Sequence, residues 1–441
     1  MSLEALKQKI ESKAARLAVI GLGYVGLPVA ASFAQEGFDV LGIDLLEDRV
    51  ARINAGESPI EGEEPGLAAL IAEVIASGRL HASTDYAGLQ DRDAILISVE
   101  TPVGEDNKPR YDALRAVLSS LGPNLKEGAL VIVESTISPG TMMKLVAPLL
   151  EETSGKSLNE SFYLGNCPER VMPGKLLHNI RKMDRVAGAM TPETAEVMVA
   201  LYRNIVEGAL DTTDCTTAEL VKTTENAYRD VQIAFANEIA KISESVGGDV
   251  WKVRELVNKS PGRNMLLPGA GVGGHCIPKD PWLLAYGVDG KDVALSLIPA
   301  ARAVNDGMPA HILALLAAAL QDAGQALMGA KILVMGYAYL EDSDDTRNSP
   351  SQALVAQLQT AGAQAVLHDP YVEKYAGDLL QAAEGCDAAV LMVKHSAYKE
   401  LDFGKLKEQL SADIFVDGRG MFIDKEPPQG FLFNVIGRGK H

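Results

Sequence analysis

Residues 16–44 read RLAVIGLGYVGLPVAASFAQEGFDVLGID, and this stretch decides the fold. Arg16–Ile20 is an apolar run of buried-strand length, and Gly21-Leu-Gly-Tyr-Val-Gly26 is a turn. Leu27–Glu36 has helical spacing and is closed by Gly37, and Phe38–Ile43 is a second strand ending at Asp44. Together they spell one βαβ unit. Gly21 permits the tight turn, Gly23 lets the backbone approach a pyrophosphate, and Gly26 allows helix and strand to pack, while the helix N-terminus offers N–H groups to the phosphates. Asp44 stands 18 residues after Gly26. There it would accept hydrogen bonds from the adenosine ribose and repel a 2′-phosphate, so NAD is expected rather than NADP. The alternative is a glycine turn that packs a helix and holds no ligand.

Outward from this unit, apolar runs at Ala94–Val99, Ala129–Val133 and Phe162–Gly165 alternate with helical stretches and extend a parallel sheet. Thr101-Pro102 and Ser135-Thr136 follow two of these strands, at the carboxyl edge where such sheets bind ligands. Residues 3–15 read as an amphipathic lead-in helix. Near residue 216 the rhythm stops. Thr216-Thr-Ala-Glu219 has the form of a capping box, and Leu220, Thr224, Ala227, Val231, Ala234, Phe235 and Ile242 continue a helical pattern to Gly247-Gly248. A helix about 45 Å long outspans one small sheet and suits a connector between domains and a dimer interface.

From residue 308 alternation resumes, with a helix to Ala326, a strand Lys331–Met335, a helix Ser349–Ala361, and strands at Gln364–His368, Ala388–Val393, Ile414–Val416 and Leu432–Ile436. The first turn of this second α/β region, GYAYLEDSDDTRNSP, lacks the three glycines, so only the first region can hold a dinucleotide by the glycine mechanism. The fold expected is α/β, with two Rossmann-like domains joined by a long helix and a helical central region: residues 1–210, 211–307 and 308–441.

At 441 residues, 47% hydrophobic and 23% charged, the chain has the profile of a globular protein with ordinary cores. Its formal charge of -18 argues against nucleic-acid binding. The N-terminus carries charges and then a glycine-broken strand, neither a secretory segment nor a membrane span, so the cytoplasm is the expected compartment and no membrane partner is expected. Cys167, Cys215, Cys276 and Cys386 lie far apart with no CxxC pair, which suggests reduced thiols, no zinc ribbon and no metal site.

One thiol stands out. Cys276 lies in Gly271-Val-Gly-Gly-His-Cys-Ile-Pro-Lys-Asp-Pro-Trp282, a glycine-rich delivery followed by stiffening prolines, with Asp280 four residues on. A lone cysteine is more often a small buried hydrophobe than a nucleophile. Lys222 and Asn226, four apart on the long helix, share a face and can reach one ligand; Lys222 alone could be a solvated lysine. Glu169, in NCPERVMPGK, is either a site carboxylate or a loop acid paired with Arg170 or Arg185. Arg347, in DDTRNSP, could be the counterion of its acidic neighbours. Arg170, Lys175, His178, Arg181, Lys182 and Arg185 form a locally basic run, a solvated face or a seat for an anion. NAD with a loop thiol restricts the chemistry: an alcohol becomes an aldehyde, a thiolate adds to it, and a second oxidation leaves a thioester that water hydrolyses.

These motifs converge. The chain resembles the UDP-glucose/GDP-mannose dehydrogenase family along nearly its whole length, through GLGYVGLPVA with Asp44, ESTISPGT, NCPER, TTAELVKTTENAYRDV, GVGGHCIPKDPW and DDTRNSPS, in family order. The resemblance implies Cys276 as covalent nucleophile, Lys222 and Asn226 as oxyanion stabilisers, and Asp280 with Thr136 handling water. It also implies cofactor contacts at Gly21, Gly23, Tyr24, Val25, Gly26, Asp44, Arg49, Thr101 and Thr136. Substrate contacts are implied at Glu169, Arg170, Lys222, Asn226, Arg263, Asn264, Gly273 and Arg347, the last often from the opposite subunit of a dimer. NCPERVMPGKLLHNI, ENAYRDVQIAFANEIAK and GGHCIP are most similar to the UDP-N-acetylmannosamine dehydrogenase branch. Ser260-Pro-Gly-Arg263 departs from that branch's His-Pro-Arg, and Lys279 is closer to the UDP-glucose branch.

The expectation is a homodimeric or larger NAD-dependent enzyme that oxidises C6 of a UDP-N-acetylhexosamine, foremost UDP-N-acetylmannosamine, to the uronic acid with two NADH per product. The rival readings are oxidation of UDP-N-acetylglucosamine or UDP-glucose, a silent nucleotide-binding protein, and a two-electron β-hydroxyacid dehydrogenase. The last needs neither the cysteine nor the second α/β domain.

Overall fold

The structure, a computed structural model, describes residues 1–60, 62, 64–171, 173–426 and 428–439. The chain divides into two compact units, Met1–Glu225 with Trp282–Asp292, and Asn226–Pro281 with Val293–His441.

The first unit is built on an eight-stranded sheet. Its strands are β1 (Arg16–Ile20), β2 (Asp39–Ile43), β3 (Leu80–Ser83), β4 (Ala94–Ile97), β5 (Ala129–Val133), β6 (Phe162–Asn166), β7 (Arg185–Ala189) and β8 (Leu210–Asp214), in the order β3-β2-β1-β4-β5-β6-β7-β8. Alternation along β1 sends Leu17 and Val19 into one core and Ala18 and Ile20 into another, so helices cover both faces, as a parallel sheet requires. The strands expected from the sequence, β1, β2, β4, β5 and β6, pair in parallel, and β7, which the sequence did not announce, runs antiparallel to β6.

The lead-in helix is shorter than expected, Leu3–Glu11, with Lys13 taking φ 57 just beyond it. The long helix spans Cys215–Val246, and the boundary between the units falls inside it, between Glu225 and Asn226. The capping box is not formed. Asp214 accepts from the Thr217 N–H and hydroxyl at 2.9 and 2.6 Å, and Glu219 is buried and engaged elsewhere.

The second unit carries a parallel sheet of β9 (Lys331–Met335), β10 (Gln364–His368), β11 (Ala388–Leu391), β12 (Ile414–Asp417) and β13 (Leu432–Val435), ordered β10-β9-β11-β12-β13. Its opening node repeats that of the first sheet. Gly21 (φ 92) donates to Ile43 O at 2.7 Å, and Gly336 (φ 89) donates to His368 O at 2.8 Å. Leu22 N–H donates to Asp44 and Tyr337 N–H donates to Asp369, the acid after the second strand in each case. Asp369 is fully occupied, accepting also from Ala338, Tyr371 and Val372 N–H groups and pairing with His395. Burial works against its charge, but His395 and these donors outweigh it and hold the carboxyl down at about 2.

Leu297–Asp322 is apolar and long enough, by composition, to cross a membrane. In the fold it is two helices, Leu297–Asp306 and Met308–Asp322, and the second buries Ile312, Leu316, Ala319 and Leu320 in the core of the second unit.

Candidate active site

The glycine turn of the first unit separates the three glycines by role. A Cβ on Gly26 would lie 1.9 Å from Gly21 O, and one on Gly21 would lie 2.5 Å from Ser98 O, so both are demanded by packing. A Cβ on Gly23 would meet nothing within 4 Å. That open approach to backbone N–H groups is what a pyrophosphate needs. Asp44 is buried; its Oδ2 accepts from Leu22 N–H and Arg49, each at 2.9 Å, and its Oδ1 from Leu46 N–H at 3.0 Å. A carboxylate has about four acceptor positions. Three are used among the described residues, leaving capacity on Oδ1 for a ribose hydroxyl. Val25 begins the helix without a side-chain cap, and the Tyr24 hydroxyl donates to Glu64, which also accepts from Gly174 and Leu176 N–H groups at 2.7 and 3.2 Å. Glu64, which sequence reasoning passed over, thus ties the turn to the NCPER loop.

At the carboxyl edge of the same sheet, Thr101 Oγ1 donates to Thr136 O and Ser135 Oγ to Val99 O, both at 2.6 Å. From the other side, the Glu219 carboxylate accepts from Gly140 and Met142 N–H groups at 2.5 and 2.7 Å. The Ser135–Thr141 loop is therefore held both by the β4 loop and by the long helix, one turn before Lys222. Burial pushes Glu219 up to about 7 against these hydrogen bonds.

Glu169 sits in a buried cluster. It is 2.5 Å from Arg185 Nη2, and Arg185 lies 3.7 Å from Glu134, whose oxygens accept from Ser98 and Tyr202 at 2.7 and 2.8 Å. The pairing with Arg185 that the sequence left open describes this side chain's geometry. Burial drives Glu134 up to about 7, with Arg185 opposing. Half of the basic run is spent on acids: Arg170 on Glu225, with the Asp184 carbonyl, Lys182 on Glu207, and Arg185 on Glu169.

The second unit holds the thiol. Of the four cysteines only Cys276 is exposed, and burial pushes Cys167 and Cys215 up to about 12. The reading of Cys276 as a buried core thiol is thereby excluded. Asp280 is fully buried, and its N–H donates to Cys276 O at 2.8 Å. Its carboxylate takes Asn226 Nδ2 at 2.6 Å and Lys279 Nζ at 2.8 Å. The structure thus brings Asn226, Lys279 and Asp280 together beside the backbone of Cys276. Arg347 is bound to Asp345, while Arg263 and Asn264 are exposed, with Arg263 turned back onto Pro261 O.

The glycines beside the thiol make room for protein atoms. A Cβ on Gly273 would lie 2.6 Å from Tyr339 Cβ and 2.7 Å from Asn348 O. On Gly274 it would lie 2.6 Å from the Tyr339 ring. Close packing on the segment after β9 explains these glycines.

Three family models cover most of the chain. The NAD binding domain of the UDP-glucose/GDP-mannose dehydrogenase family matches residues 15–206, its central domain 216–307 and its UDP binding domain 333–424. The chain belongs to the UDP-glucose/GDP-mannose dehydrogenase family. A UDP-N-acetyl-D-mannosamine dehydrogenase of Pyrococcus horikoshii is 38% identical over 96% of this chain and 99% of its own. The solved structure of UDP-D-ManNAc dehydrogenase from that organism superposes with a TM-score of 0.90 over 96% of this chain and 99% of that one. An NDP-N-acetyl-D-galactosaminuronic acid dehydrogenase from Methanosarcina mazei Go1, 37% identical, gives 0.86 over 98% of each. This family member is a UDP-sugar dehydrogenase with NAD as its cofactor, and the open Gly23 and the spare acceptor on Asp44 fit that cofactor.

Proposed function

We propose that the enzyme oxidises C6 of a UDP-N-acetylhexosamine, foremost UDP-N-acetylmannosamine, to the uronic acid in two successive oxidations. The exposed Cys276, beside an Asp280 held by Asn226 and Lys279, carries this reading. NAD, when bound along the Gly21–Gly26 turn with Asp44 and Arg49 at its ribose, accepts a hydride at each oxidation. The chain's own residues do the rest. The Cys276 thiolate adds to the C6 aldehyde to give a thiohemiacetal, and oxidation of that adduct leaves a thioester on sulfur. Lys222 and Asn226 would donate to the C6 oxygen as it gains charge. Asp280, with Thr136 and Glu169, would position the water that cleaves the thioester and releases the thiol. Arg170, Arg263, Asn264, Gly273 and Arg347 are proposed substrate contacts, of which Arg170 must first leave Glu225.

The N-acetylhexosamine class is supported by the names of the relatives from P. horikoshii and M. mazei, and the mannosamine epimer by the former. Counting NADH released per sugar consumed, with UDP-N-acetylmannosamine, UDP-N-acetylglucosamine and UDP-glucose side by side, tests the reading. Two NADH with the first sugar and no acid from Cys276→Ser are expected; acid formation at the normal rate without the thiol would overturn it. The functional segments remain 1–210, 211–307 and 308–441, and a homodimer through the long helix completes the proposal.

A further inference from the structure

We propose that Asn348 is a positioning residue for Cys276, clamping the peptide of Gly274 together with the Arg347 carbonyl, so that the thiol is placed by the segment that also carries Arg347. The inference rests on Cys276 being the nucleophile. Gly274, two residues before the thiol, donates to Arg347 O at 2.9 Å, and its own carbonyl accepts from Asn348 Nδ2 at 3.1 Å. Both hydrogen-bonding groups of one residue in the nucleophile loop are thus taken by two consecutive residues of another segment.

Backbone conformation shows the clamp to be specific. Asn348 takes φ 49 and Gly274 takes φ 86. Asparagine is among the few side chains that tolerate the left-handed region, and here the same residue type supplies the amide donor. The missing Cβ atoms of Gly273 and Gly274 admit Tyr339 and Asn348 O. The clamping segment is itself anchored. Tyr339 N–H donates to Asp345 O at 2.9 Å, and Asp342 N–H donates to the buried His395 Nδ1 at 2.9 Å. The Asp342 carboxylate accepts from Ser396 N–H and hydroxyl at 2.6 and 2.7 Å. At its far end Ser349 donates to Ala338 O and caps the helix Pro350–Thr360. Arg347 holds its proton more tightly than usual, first through Asp345 and further through charge on Cys276. A nucleotide that draws Arg347 from Asp345 would therefore pull on the peptide that sets the thiol.

The test uses the full-length protein and two variants that keep the backbone permissive. Asn348→Asp is isosteric but presents an acceptor to the Gly274 carbonyl, and Asn348→Gly removes the side chain while keeping positive φ. Alkylation of Cys276 by iodoacetamide is followed by mass spectrometry of its peptide from about pH 6 to 9.5; the alkaline plateau reports access to the thiolate rather than its amount. That plateau should rise at least about threefold in both variants, and kcat should fall about tenfold with KM changed less than about threefold. A wild-type plateau in both overturns the clamp. A raised plateau with unchanged turnover upholds the clamp and counts instead against Cys276 as nucleophile, which separates the two failures.

Discussion

Asn226 Nδ2 donates to Asp280 Oδ2 across 2.6 Å, joining the long helix to a carboxylate whose other oxygen pairs with Lys279 at 2.8 Å. Asp280 has no solvent to share its charge, so the two donors do different work. Lys279 neutralises a buried charge, whereas Asn226 orients it. Lys279→Met should therefore lower stability by about 3 kcal/mol, the cost of leaving a buried carboxylate without its cation. Asn226→Ala should shift Tm little and lower kcat about a hundredfold. Equal losses of Tm in the two variants would contradict this division.

The glycine turn gives a second contrast. Gly26→Ala drives a Cβ to 1.9 Å from Gly21 O, and no rotamer relieves it; Gly23→Ala places its methyl in open space. The first variant should fail to fold or unfold at a much lower temperature. The second should keep its Tm within a few degrees and lose NAD affinity about tenfold or more, because the methyl occupies the pyrophosphate's approach. Calorimetric NAD titration and thermal melts distinguish the two, and normal NAD affinity in Gly23→Ala would sink this assignment of the turn.

Glu219 makes stability depend on pH with an unusual sign. Its folded pKa is raised, mainly by burial, from 4.5 to about 7. Between those values the folded state binds more protons than the unfolded chain, so stability falls as pH rises through the window and levels off above it. Glu134 adds in the same direction. Glu219→Gln should flatten the decline of Tm between about pH 4.5 and 7 by the equivalent of roughly 2–3 kcal/mol at most. An unchanged slope would mean that Glu219 does not titrate there.

The strands at the nucleotide turn were legible because they are buried on both faces and read as unbroken apolar runs. Edge position hides two others, β8, which is LDTTD and mostly exposed, and β3, which is four residues long; the interior strand β7 begins with Arg185, whose charge is matched only across the fold by Glu169 and Glu134. The capping-box reading failed for a related reason. Glu219 has the right spacing for a local partner, but Gly140 and Met142, some 77 to 79 residues away, capture it. Cys276 and Asp280 were legible because glycines and prolines mark their loop. Lys279 and Asn348 were not, since what they do depends on atoms that only the fold brings near.

The long helix gives the last prediction. At about 100° per residue, Leu220, Thr224, Tyr228, Val231, Phe235, Ile242 and Val246 fall within a sector of about 80°. Most of this stripe is uncovered: Tyr228 is 62% exposed, Phe235 55% and Ile242 51%, each two turns from the next. On the far side Glu219, Ala236, Asn237 and Ala240 are buried. An apolar seam at seven-residue spacing, over a helix of 32 residues, suits the equivalent helix of a second copy and is otherwise a liability in water. Phe235→Glu would place a charge in the middle of that seam while leaving the buried side untouched. Sedimentation should show a dimer or larger assembly for the wild type and a monomer for the variant at micromolar concentration, with the far-ultraviolet spectrum unchanged. A wild-type monomer at that concentration would remove the helix from any role in assembly.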